Sequence, residues 1–282
     1  MRKITLTILF IAAVAATWAQ KPDKKTVKLE KQLVGTFVEI PAGHYTIRNS
    51  NGDTTKVTIA GFRMLETEVT NASYNLFLED LKAQGRMADF EKAKIDTARA
   101  ILVTHYSTHP ALPPLPPYPV TCISHEGAML FCQWLNEKMG GEYEYTLPTE
   151  MQWKYAAHGG VMYWSYPLGP FLTNRKGNPL YNFLRFGDES ISMQDGKYVV
   201  VIHYDPSHYD DNLPDRAKSH YPNNYGLYNM SGNVAEMVAE RGIAYGGSYL
   251  DPGYDIRIDS EKPYDGPSPL IGFRVIAVQK AY

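Results

Sequence analysis

The sequence is poor in cysteine, with Cys122 and Cys132 the only two among 282 residues. Two are too few for a disulfide framework. A single Cys122–Cys132 bridge and a pair of free buried thiols are both compatible with the composition. With no cysteine near the amino terminus there is nothing to carry a bacterial lipid anchor, so membrane attachment is expected only through a partner. Long apolar runs are also missing beyond the first twenty residues, and no segment approaches the ~20 apolar residues of a spanning helix. An excess of positive charge is absent too. Without Arg2 and Lys3 the count is 26 basic against 30 acidic residues, and no basic cluster stands beyond Lys21 to Lys31. Nucleic acid is therefore not an expected partner.

What is present begins with an export signal. Arg2 and Lys3 precede the apolar stretch Ile4 to Ala16, and Thr17-Trp-Ala19 ends in a small residue suited to signal peptidase. The protein is expected to be exported, to the periplasm or an outer-membrane-associated position, with residues 1–19 removed. Residues 20–32 are lysine-rich and read as a flexible lead-in, with one domain over residues 33–282. That is long enough for one large core. The chain has 21 tyrosines, 22 glycines and 19 prolines. This mixture implies ordered loops, since Gly and Pro supply turns and Tyr packs a ring while satisfying a hydroxyl.

Short strands are predicted at Phe37 to Ile40, His44 to Ile47 and Val57 to Ile59, around a Pro-Ala-Gly turn. Thr70 caps a helix whose apolar face is Tyr74, Phe77, Leu78 and Leu81, and a second helix is expected around Ala88 to Leu102. Five prolines between Ala111 and Pro119 force an extended crossover. Ser124 starts a helix that stops at Gly140 and buries Ala128, Phe131, Cys132, Leu135 and Met139. Thr149 and Gln152 form a capping box for a further helix.

Six stretches, in order, carry a family resemblance. They are Phe37-Val-Glu-Ile-Pro-Ala-Gly43, Glu66-Thr-Glu-Val-Thr-Asn-Ala-Ser-Tyr74, and Tyr118-Pro-Val120 with the helix through Cys132-Gln-Trp134. Then come Thr146 to Gly160, Tyr225 to Glu236, and Gly246-Gly-Ser-Tyr249 followed by Ile271-Gly-Phe-Arg274. Together these resemble the formylglycine-generating (sulfatase-modifying) enzymes. The resemblance implies a single α+β domain of the C-type-lectin-like kind, with limited regular secondary structure.

Departures from the family pattern matter as much. Thr146 replaces an arginine, Leu168 a tryptophan and His125 a tryptophan. Catalytic relatives hold copper(I) on two cysteines in the stretch after Gly246 to Tyr249, and the matching positions here are Asp251 and Ile256. Copper(I) is soft and selects thiolates, so no copper is expected and no catalytic residue is assigned. The replacement stretch ending in Asp251-Pro252 resembles a non-catalytic branch, the gliding-motility and type IX secretion proteins of Bacteroidetes envelopes. That branch implies envelope or outer-membrane protein partners.

The resemblance also implies structural calcium, at one or two ions. Asn229, Gly232, Val234 and Glu236 match one site, offering an amide, two carbonyls and a carboxylate, which are hard oxygen ligands suited to calcium. Asn182, the carbonyl of Phe183, Asp211 and the carbonyl of Leu213 match a second, with Asp210 a substitute for Asp211. A turn held by Asn and Glu hydrogen bonds needs no metal at all. His105 and His109 have zinc-pair spacing but run into Pro110, so a solvated loop is expected; His203 and His208 among aspartates are read as polar loop residues. Three functions follow: a non-catalytic envelope component, an enzyme of changed chemistry using Asp251, Asp255 or His220, and a ligand-display protein with variable loops over residues 249–265.

Overall fold

The computed structural model describes residues 21–48, 54–102, 115–185, 189–202 and 213–280. The export signal expected at 1–19, His105 and His109, and the stretch holding His203, His208, Asp210 and Asp211 lie outside the described residues.

The stretch at 20–32, expected as a flexible lead-in, instead contains the helix α1, Lys24–Leu33, started by Asp23, whose side chain accepts from the Thr26 amide. The reason is one acid among the lysines. Glu30 is 1% exposed and takes both Arg63 Nη1 and Nη2, at 2.8 and 2.7 Å, and the Tyr145 hydroxyl at 2.7 Å. Arg63 lies between the rings of Phe37 and Tyr143, with centroids at 5.3 and 5.2 Å. Lysine-rich composition suggested solvation, whereas this buried fork docks the helix onto the domain.

Strands β1 (Phe37–Ile40) and β4 (Phe62–Leu65) pair antiparallel around the hairpin β2 (Gly43–Arg48) and β3 (Thr54–Ile59). The helix α2, Asn71–Ala83, is capped by Thr70 and buries Tyr74, Phe77 and Leu81, while Leu78 packs partly. The single helix expected at Ala88 to Leu102 is divided into α3 (Met87–Ala93) and α4 (Thr97–Leu102). Lys94 leaves helical dihedrals at φ −56° and ψ 145°, and Asp96 then serves a new start by accepting from the Arg99 amide. At the end of the proline-rich crossover, the Asn71 side chain donates to the carbonyls of Leu115, Tyr118 and Pro119, which pins the extended chain beside α2.

Helix α5, His125–Met139, runs from a Ser124 cap to Gly140, whose φ of 54° is the left-handed stop that glycine takes without strain. Strand β5 (Tyr143–Thr146) follows, then α6 (Glu150–Ala157) with its Thr149–Gln152 capping box. The hairpin β6 (Glu189–Gln194) and β7 (Lys197–Ile202) turns at Asp195-Gly196, both at positive φ. The remaining elements are β8 (Ala235–Met237), β9 (Ile243–Tyr245), a 3₁₀ turn at Gly253–Ile256, β10 (Glu261–Pro263), β11 (Ile271–Phe273) and β12 (Ile276–Gln279). One sheet has the order β1-β4-β12-β5, so the last strand sits between two much earlier ones. The other has the order β10-β9-β8-β11, with β8 and β11 parallel. Between sheets and helices lies an aromatic core of Tyr74, Phe77, Phe131, Trp134 and Phe273, with neighbouring centroids 5.3 to 6.1 Å apart. Such pairs add about 0.5–1.5 kcal/mol each beyond area burial.

Candidate functional site

The parallel pairing of β8 with β11 sets Glu236 opposite Gly272 and brings Arg274, two residues on, to its carboxylate. Arg274 Nη2 donates to Oε1 at 2.6 Å, and Nε lies 3.2 and 3.0 Å from the two oxygens. Trp153 Nε1 donates to Oε2 at 2.8 Å. The remaining guanidinium donors reach the carbonyls of Leu65 and Tyr228, at 2.9 and 2.7 Å. Glu68 lies in the same buried centre and accepts from Asn233 Nδ2 at 2.7 Å and Asn229 Nδ2 at 3.3 Å. Burial pushes its carboxyl well above the usual range; Arg274 opposes that shift and the Glu236 charge adds to it.

Two calcium segments expected from the sequence pack directly on one another. Asn229 and Asn233 both take positive φ, 54° and 59°, a conformation asparagine tolerates. Gly232 is required because a Cβ there would overlap the Asn182 carbonyl. That carbonyl accepts from the Asn233 amide at 2.7 Å, and Asn182 Nδ2 donates to the Leu213 carbonyl at 2.9 Å. So Asn182, Leu213 and the Asn229 to Glu236 loop are brought together; Phe183 is buried beside Tyr181 and Asp211 lies outside the described residues. By ligand type the set suits calcium. By availability Glu236 does not fit, because its oxygens already hold Arg274 and Trp153, which fill the roughly four lone-pair positions of a carboxylate. Asn229 keeps an oxygen whose neighbour, Ser219 Oγ, is a long 3.5 Å away.

The two positions expected to match the copper-binding cysteines, Asp251 and Ile256, are engaged otherwise. Asp251 Oδ2 accepts from the Ser248 amide and hydroxyl, at 2.7 and 2.6 Å, and both its oxygens lie 2.6 Å from Lys262 Nζ. Ile256 closes the 3₁₀ turn and is fully buried in an apolar group with Tyr166, Tyr181 and Phe183. Leu168, standing in place of a family tryptophan, packs against the same group. Asp255 has its carboxyl raised by burial and by the neighbouring Asp251 charge. His220 is engaged by Asp215 at 2.9 Å. His125 bonds the Val238 carbonyl through Nε2 at 3.0 Å, so it is a packing residue at the start of α5. Both cysteines are free and buried, and burial pushes the Cys122 thiol up to about 11.

Sequence reasoning placed Glu68, Trp153 and Arg274 inside motifs without giving them a role. The available signals were a glutamate two residues before Thr70 and an arginine directly after the apolar Ile271-Gly-Phe273; their burial, which requires partners, came only from the fold.

The family model for the sulfatase-modifying factor enzyme 1-like domain matches residues 23–279, and the chain belongs to that family. The chain is 24% identical to a formylglycine-generating enzyme of Mus musculus over 245 residues, covering 72% of this chain and 58% of that protein. It is also 24% identical, over 254 residues, to the inactive C-alpha-formylglycine-generating enzyme 2 of Mus musculus, covering 79% of this chain and 72% of that one. Its relatives thus include both active and inactive proteins. Among solved structures, PvdO from Pseudomonas aeruginosa superposes with a TM-score of 0.58 at 21% identity, covering 86% of this chain and 93% of that one. Treponema denticola variable protein 1 superposes with a TM-score of 0.57 at 16% identity, covering 86% and 94%. These two likenesses concern the fold.

Proposed function

We propose that this protein is an exported, non-catalytic member of its family that serves as an assembly component of the cell envelope, of the type IX secretion or gliding kind. The observation that carries the non-catalytic part is the use of Asp251 and Ile256. One is neutralised by Lys262 and caps a turn, and the other fills an apolar group, so neither offers a soft ligand or a free nucleophile. The export part is supported by the amino-terminal signal, and the envelope part by the resemblance of the stretch through Asp251-Pro252. A display role for residues 249–265 is disfavoured by the burial of Tyr249, Ile256 and Ile258, which fixes much of that segment.

The test has two arms. Mature protein given copper(I), oxygen and a cysteine-containing peptide is expected to produce no aldehyde by mass spectrometry; aldehyde formation overturns the non-catalytic reading. Affinity purification from the native envelope is expected to retain outer-membrane proteins, and deletion to impair secretion or motility. A freely soluble monomer with no deletion phenotype overturns the assembly reading.

A further inference from the structure

An open cleft of about 700 Å³ lies between the β2–β3 hairpin and α6, and neither Asp251 nor Ile256 is among its lining residues. Its floor is polar. Lys154 is only 10% exposed, its ammonium 2.8 Å from Glu150 and 4.6 Å above the Tyr245 ring. Asp259 is 67% exposed and lies at a long 4.0 Å from the same ammonium. Tyr45 Oη donates to Asp259 Oδ1 at 3.2 Å, which fixes the direction of that carboxylate. The walls are Met151, Met162 and Tyr163, and Tyr163 is 85% exposed, a large aromatic surface left in solvent.

We propose that this cleft captures a lysine or arginine side chain carried on an extended peptide of a protein partner. The inference deepens the envelope-assembly reading and rests on it for the nature of the partner. Charge selects the ligand. Among the described residues two carboxylates face one ammonium, which lies 2.8 Å from Glu150 and only 4.0 Å from Asp259. His158, on the same helix face, adds no positive charge at neutral pH because burial holds its imidazole below the ordinary value. Shape selects the rest. An aliphatic stem can lie along the methionines while its charged head meets the Asp259 carboxylate and the Tyr163 ring, a salt bridge and a cation–π contact made together. A ligand anion would meet two like charges, and a purely apolar ligand would desolvate Asp259 without a partner. The volume exceeds that of one side chain, so flanking peptide fits as well.

The probe is the pentapeptide acetyl-Ala-Ala-Arg-Ala-Ala-amide, with its lysine and glutamine counterparts, titrated calorimetrically into the mature chain. Arginine and lysine peptides are expected to bind, and the glutamine peptide at least tenfold more weakly. Asp259→Asn is expected to weaken the arginine peptide about tenfold, the loss of one charged hydrogen-bonded contact. Tyr163→Ala is expected to weaken it several-fold, and Glu144→Gln, exposed on β5, to leave it unchanged. All three changes are at the surface, and unaltered melting curves confirm the fold. Equal affinity for the glutamine peptide, no binding of any peptide, or binding of maltotriose alone overturns the proposal. If envelope proteins still co-purify with Asp259→Asn undiminished, the cleft falls and the assembly reading stands; if the peptides bind while no envelope protein is retained, the reverse holds.

Discussion

Glu236 and Arg274 show how strongly a single buried residue can be committed. Each is essentially out of solvent, and each satisfies the other's charge. Removing one leaves the other buried and unpaired, so Arg274→Met is expected to destabilise the chain by about 3–5 kcal/mol in urea unfolding. Glu68, raised by burial in the same centre, then loses the charge that opposes its shift. Ile256 belongs to a different mechanism. Truncation to alanine removes buried methylenes from the group with Tyr166, Tyr181 and Phe183 and is expected to cost about 2–5 kcal/mol. His158 supplies a pH signature. Its folded-state value lies below the ordinary 6.5 because burial disfavours the charged ring. The unfolded chain therefore binds more protons in that window, so stability is full above about pH 6.5 and is lost as pH falls toward the depressed folded value. The slope of urea stability against pH between 7 and 5 is expected to lessen in His158→Gln.

At the scale of elements, α1 and the Asn229 to Glu236 loop make opposite points. Composition made α1 look solvated, yet Glu30 anchors it to Arg63 and Tyr145. No local pattern could reveal this, because the partners lie 33 and 115 residues away. The caps were legible because they are local: Thr70, Ser124 and Thr149 each accept from an amide three residues on. The break at Lys94 was not, since Asp96 is held partly by the distant Cys122 carbonyl. In the loop, ligand type suggested calcium and geometry gives Glu236 to Arg274. A loop held by Arg274 alone, with no ion at either expected site, gives melting curves that superimpose with calcium and with chelator. A calcium ion at a hundredfold over its dissociation constant would instead add about 2.7 kcal/mol, visible as a higher melting temperature.

For the whole molecule, Cys122 and Cys132 report on global opening. Both thiols are buried, and burial raises both above the ordinary cysteine value. Alkylation by iodoacetamide at neutral pH is expected to be slow in the native state and to follow unfolding when urea is added, read by mass spectrometry. Rapid native labelling of Cys132, within the aromatic core beside Phe131, would mean that α5 opens locally.

The family and the α+β architecture were set by the sequence itself, because motif order and residue chemistry are properties of the chain. Which charges meet which was decided only by tertiary structure. Glu236 with Arg274, Glu30 with Arg63 and the cleft between Lys154 and Asp259 all join segments remote in sequence. A buried charge has a determinate role only once its counter-charge is placed, and placing it requires the fold.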